Sequence, residues 1–252
     1  MRTADVLQDY QIASAVDFDG LASEELEAMA LAGQQVVEVY RILAKTGDNV
    51  VGELLRGTDT FYEWDHYPKG DVYDRETHSQ YYYHAHAADQ RFPGEHGHFH
   101  TFLRPKGMPP GLAPADIPGR PVPEDPNDEL SHLIAIAMTP AGFPFRLFTT
   151  NRWVTGESWY RAEDVIALLA FFNIDHARPS WPANRWITAM LALFKPQIVE
   201  LVRARDRAVA AWAELHRERD VYEDRELEIA SYMEIDVEAQ IRAVSQALLK
   251  RT

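Results

Sequence analysis

An α+β fold, with an antiparallel β-sheet core flanked by N-terminal and C-terminal helices, is predicted by three observations. Apolar residues recur at helical spacing over about 23–46 and again over about 160–250. Between them, over about 58–150, aromatic and β-branched residues fall into short runs bounded by turn residues. No linker or internal repeat divides the 252 residues, which suit a single domain spanning 1–252.

The first helix takes Ser23 as its N-cap, with Glu24 and Glu25 in the first turn. Leu26, Met29, Val36, Tyr40 and Leu43 then line one face, and Gly47 is a natural stop. Strands are expected at 60–67, 78–86, 96–103, 132–138 and 143–150, within a sheet of about four to six strands. Pro68-Lys69-Gly70 and Pro140-Ala141-Gly142 read as turns. Residues 105–126 hold eight of the fifteen prolines and read as an irregular loop wrapping the body. In the last zone, Ile198, Leu201, Val202, Val209 and Trp212 form one apolar stripe, and Val237, Ile241, Val244 and Leu248 another. Such stripes are core-facing helix surfaces.

Composition narrows the function. The net charge is −14, and the first 130 residues hold 23 acids against 10 bases. That surface repels phosphate backbones and attracts cations, so no nucleic-acid partner is expected. With no cysteine, a disulfide framework, iron–sulfur ligation and thiolate zinc sites are excluded, and any metal must be held by nitrogen and oxygen donors. The first twenty residues lack the apolar core of a signal peptide, and no apolar run is long enough to span a bilayer. A cytoplasmic protein with no membrane partner is the expectation.

The chemistry concentrates in one segment. Six of the ten histidines, His78, His84, His86, His96, His98 and His100, fall within 23 residues, and all are even-numbered. Alternate side chains of a strand share a face. Tyr82, His84 and His86 therefore share one face of the first strand, and His96, His98 and His100 one face of the second. Residues 87–95, with Pro93 and Gly94, join the two as a hairpin. Pairing His86 with His96 sets His84 opposite His98 and Tyr82 opposite His100. Opposed Cβ atoms lie about 4.5–5.5 Å apart, so such imidazoles can converge on one ion. A polar solvated face would use Thr, Lys, Glu and Gln instead.

His84, His86 and His98 lead as ligands, followed by His96 and His100, with the surplus serving as outer partners or proton carriers. The donors suit a transition metal ion: iron, zinc or copper. Glu95 could complete a two-histidine, one-carboxylate set, although parity points it away unless it lies in the turn; Glu63 and Asp65 are the alternatives. Tyr82 is placed to exchange a proton at the centre. Arg104, Lys106, Arg146 and Arg152 are candidates to hold an anionic group of a small-molecule substrate. His66, His132 and His176 stand alone and read as structural. The pattern leaves the oligomeric state open.

His96-Gly97-His98-Phe99-His100-Thr101-Phe102 resembles the motif of the histidine-triad nucleotide hydrolases and transferases, which implies a histidine nucleophile at phosphorus. The match covers seven residues, with Gly97 and Thr101 at two apolar places of that motif. Over most of its length the chain also resembles an uncharacterised family of bacterial proteins. The resemblance runs through AKTGDNVVGELLRG at 44–57, FYEWDHYPKGDVYD at 61–74, SQYYYHAH at 79–86 and GEHGHFHTFLRPKGMPPG at 94–111, and continues through RLFTTNRWVTGE at 146–157, IDHARPSWPANRW at 174–186 and YEDRELEI at 222–229. It implies no activity, fold or catalytic residue. The leading function is a mononuclear metalloenzyme, oxidative or hydrolytic. Metal storage, sensing or delivery would differ from it by keeping His84 and His98 accessible, where an enzyme buries its ligands.

Overall fold

The computed structural model of the chain describes residues 10–13, 16–117 and 119–251. Helix α1, Ser23–Ala44, begins at its expected cap residue, so the cap itself lies one residue earlier. Ala22 occupies the N-cap without a side-chain bond, and Glu24 and Glu25 fill the first turn. The chain passes Gly47 in the left-handed region (φ 69°) and enters α2, Val50–Leu55, capped by the Asn49 side chain. Six antiparallel strands follow: β1 (Tyr67–Tyr73), β2 (Ser79–His84), β3 (Gly97–Leu103), β4 (Ser131–Met138), β5 (Pro144–Thr150) and, far along the chain, β6 (Ile229–Glu234). They lie in chain order across one sheet. Between β5 and β6 come α3 (Arg152–Thr155), α4 (Ala162–Leu168), α5 (Trp181–Leu193) and α6 (Lys195–Leu215), and α7 (Val237–Leu249) closes the chain. The fold is α+β, with helices at both ends of the sequence.

Two strand expectations need correction. The strand placed at 60–67 starts only at Tyr67, and Pro68-Lys69-Gly70 lies inside β1 instead of turning the chain. Proline is tolerated there because β1 is an edge strand. Gly70 (φ 84°) and Asp71 (φ 60°) open a bulge, so the register jumps from Tyr67↔Tyr83 to Val72↔Tyr81. The zone expected to be wholly helical contains β6, whose six residues are too few to show against the flanking helical stripes. It pairs along β5 through Phe148↔Tyr232 and Arg146↔Glu234.

The sheet has two unlike faces. Tyr81, Tyr83, Phe99, Ile134, Ile136 and Leu147 point to the helices and pack with Trp186, Ile187, Leu201 and Val202. Each fully buried side chain of this size contributes about 1.5–3 kcal/mol. Of the two polar tips among them, the Tyr81 hydroxyl donates to Asn184 Oδ1 at 2.7 Å and the Tyr83 hydroxyl bonds His96. The opposite face carries Tyr82, His84, His98, His100, Ala135, Ala137 and Phe148 in pairing order, with Phe92 of the β2–β3 connection lying against Phe148 and Tyr232. The alanines of β4 keep this face low beside the histidines. The helices thus fix the sheet from one side, and the histidines stand on the other.

Candidate metal centre

The ladder between β2 and β3 sets His84 opposite His98 and Tyr82 opposite His100, the register that parity predicts. Nε2 of His84 and Nε2 of His98 lie 2.7 Å apart, with their rings at 89°. His86, just past the end of β2, folds back so that its ring centroid is 4.9 Å from that of His84 and 5.1 Å from that of His98. One ligand nitrogen from each of the three lies within 4.8 Å of the other two. Donors bound at about 2.0–2.1 Å to a common ion sit about 3.0–3.4 Å apart, so the His84–His98 pair would open slightly and His86 would close in to admit one. The residues are 7%, 8% and 4% exposed for His84, His86 and His98. Burial, followed by the neighbouring imidazoles, holds His84 far below its ordinary range; burial and His98 hold His86 down to about 4. Neutral rings with free lone pairs are the state a metal requires.

Glu95 lies in the turn before β3 and reaches forward instead of away. Its Oε1 is 2.5 Å from His98 Nδ1, and its Oε2 accepts the Phe92 N–H at 3.2 Å. Burial pushes this carboxyl up, but the bonds from His98 and Phe92 outweigh it and hold it below the ordinary value. A proton on His98 Nδ1, shared with Glu95, leaves Nε2 as the lone-pair nitrogen that faces His84. A carboxylate behind a histidine is a recurring support for a metal ligand. Both oxygens of Glu95 are thereby committed.

The remaining candidates separate. His100 is fully buried on the same face, with Nδ1 3.0 Å from His132 Nε2, while its own Nε2 has no partner. Tyr82 lies 5.2 Å from the rings of both His84 and His100, and burial pushes its phenol far up, so it is a neutral donor. His96 stands elsewhere. Its Nδ1 meets the Tyr83 hydroxyl at 2.7 Å and its ring packs on Phe61, so it belongs to the odd-numbered, helix-facing side. It precedes the first residue of β3, where strand alternation does not hold. His78 is also withdrawn: its backbone is left-handed (φ 61°) ahead of β2, and its ring bonds the Tyr73 hydroxyl. Glu63 pairs with Arg91, and Asp65 is exposed, so neither alternative carboxylate is brought to the imidazoles.

Three residues without a local signature join the cluster. His132, expected to stand alone, is turned toward His100 by a bulge in β4 that sets it opposite Phe102. His66 stacks on Tyr82 with centroids 3.6 Å apart and planes 8° apart, and its Nδ1 bonds Asp71 at 2.9 Å. Glu228, immediately before β6, places Oε1 3.6 Å from His86 Nδ1. Burial raises its carboxyl, His98 lowers it and Glu95 raises it, so it senses both. The exposed Trp64, left-handed at φ 71°, stacks on His86 at 4.3 Å and covers its outer side. Of the basic candidates, Arg146 lies on the histidine face, over the ring of Phe92 at 3.9 Å and bonded to Glu234 at 3.1 Å. Arg104 instead borders a solvent-open polar cleft of about 440 Å³ beyond Tyr82, which Asp71, Gln80 and Asn127 also line.

No helix among the described residues is long and apolar enough to cross a membrane. A family model described as a domain of unknown function, DUF6969, matches residues 30–235. No curated protein and no solved structure gives a match.

Proposed function

We propose, for a chain that belongs to this family of unknown function, that it is a metal-dependent enzyme acting on a small molecule at a mononuclear centre held by His84, His86 and His98. The observation that carries the reading is the convergence of three buried imidazoles within 4.8 Å of one another. Three nitrogen donors suit iron, zinc or copper and leave coordination positions open. An ion so held polarises a bound substrate or activates water, in oxidative or hydrolytic chemistry.

The protein's own groups have separable parts in that chemistry. Glu95 fixes the tautomer and orientation of His98. Tyr82 is a neutral phenol beside His84 and can hydrogen-bond a ligand at the centre. The polar cleft beyond Tyr82 has room for a small molecule and shares Asp71 with His66. Burial of the ligands favours chemistry over storage or delivery, which calls for accessible donors. The phosphorus-directed reading draws no support, because His96 does not share a face with His98 and His100. The acidic surroundings also oppose a nucleotide.

Elemental analysis of the purified protein tests the reading. About one transition-metal ion per chain is expected, and replacing His84 and His98 together by alanine should remove it. Equal metal content in the two proteins would sink the proposal.

A further inference from the structure

Resting on the metal-centre reading, we infer that Glu228 is the oxygen ligand of the centre, so that the donor set is three imidazoles and one carboxylate. Four observations lead there.

The first is position. Oε1 of Glu228 lies 3.6 Å from His86 Nδ1, and a rotation of its side chain toward His84 and His98 would bring it into the group that the three imidazoles form. The second is anchoring. The Glu228 carbonyl accepts the Asn151 N–H at 2.9 Å, the Leu227 carbonyl accepts Trp153 Nε1–H at 2.9 Å, and Ile229 pairs with Thr150. The root of the side chain is therefore fixed by β5 and α3, not by a free loop.

The third is charge. Among the described residues, the only ion-pair contact of Glu228 is with His86. Arg91 is engaged by Glu63 and the His86 carbonyl, Arg219 by Asp224 and Glu226, and Arg146 by Glu234, while Arg225 lies over the Trp153 ring at 4.3 Å. Two carboxylates, Glu95 and Glu228, thus flank the three imidazoles, with no Lys or Arg side chain paired to either among the described residues. A divalent ion supplies the missing positive charge. The fourth is competition. Both oxygens of Glu95 already bond His98 and the Phe92 N–H, whereas the Glu228 side chain is 39% exposed and its carboxylate accepts no hydrogen bond among the described residues.

The consequence is a shift in metal preference. Three nitrogens and one oxygen suit a divalent ion that accepts six ligands, with two positions left for exchangeable ones, in preference to a closed tetrahedral site.

Cobalt(II) binding to the metal-free full-length protein tests this, read by visible absorption and by titration. The wild type should bind one ion. Glu228→Gln should weaken binding by about 10–100-fold or more, as loss of a supporting group alone does, and should shift the absorption bands. Asp89→Asn, an exposed carboxylate of the β2–β3 connection that pairs with no cation among the described residues, should change neither, and circular dichroism should show both variants folded. Wild-type binding with unchanged bands and affinity in Glu228→Gln overturns the assignment of Glu228 alone. So does weaker binding with unmoved bands and a difference that vanishes in 1 M salt, since that marks through-space attraction. A wild type that takes up no cobalt overturns the metal centre itself, and this assignment with it.

Discussion

The Glu95 carboxylate meets Nδ1 of His98 at 2.5 Å across only three residues of chain, so the turn that joins β2 to β3 also orients a candidate metal ligand. If Glu95 holds the His98 ring in the tautomer that leaves Nε2 free, Glu95→Gln keeps the shape and loses the charged acceptor. Metal affinity should fall about 10–100-fold while the fold persists. Titration of the metal-free variant with zinc or cobalt, beside its circular dichroism, decides the matter. Unchanged affinity would reduce Glu95 to a turn residue.

Gly97 offers a second test of the same geometry. A Cβ there would lie 2.4 Å from the His84 carbonyl oxygen and 2.7 Å from the Tyr83 hydroxyl. The carbonyl belongs to β2 and cannot swing aside, so Gly97→Ala must push the strands apart beside the His84–His98 pair. A loss of about 1–3 kcal/mol in stability is expected, together with at least a tenfold weaker metal affinity. Wild-type values for both would mean that the strands are not held this closely.

Parity of strand residues alone places His84 against His98 and Tyr82 against His100, because all four lie in an unbroken ladder. It fails where the backbone leaves the ladder. His78 is left-handed, His96 stands one residue ahead of β3, and the β4 bulge turns His132 toward His100. His66 and Glu228 are invisible to it for another reason. The first arrives on a loop that stacks over Tyr82, and the second from the residue just ahead of a strand hidden among helices. No local pattern encodes a contact made by tertiary packing. The helices were legible because their apolar faces repeat for many turns, whereas the six residues of β6 are too short a run to declare themselves.

Acid should act on the centre before it acts on the rest of the fold. His86 is held down to about 4 in the folded chain, against 6.5 when exposed. Between those values the unfolded chain binds a proton that the folded one refuses, so His86 contributes stability above pH 6.5 that is lost as the pH falls toward 4. Protons also compete with the ion for the same nitrogens. Melting of the metal-free protein should therefore show a Tm that declines below pH 6.5. Added metal should raise Tm more at pH 7 than at pH 5. An equal rise at both values would place the ion on carboxylates alone.

Glu157 should tilt stability the opposite way. It is 1% exposed, Oε2 accepts the His132 N–H at 2.7 Å, and Oε1 has no partner. Burial outweighs the pull of Arg205 and raises its carboxyl to about 7, from 4.5. The folded state therefore binds the proton more tightly than the unfolded one, so the contribution is whole below pH 4.5 and drains as the pH climbs through 7. Over that window it amounts to about 3 kcal/mol. Glu157→Gln retains an acceptor for His132 and cannot ionise. The buried histidines titrate in both proteins, so the difference between them isolates Glu157. Urea unfolding at pH 5 and pH 8 should show the variant gaining on the wild type at the higher pH. A constant difference between the two would mean that Glu157 is already ionised at pH 5, and that a cation or water inside the fold stabilises its charge.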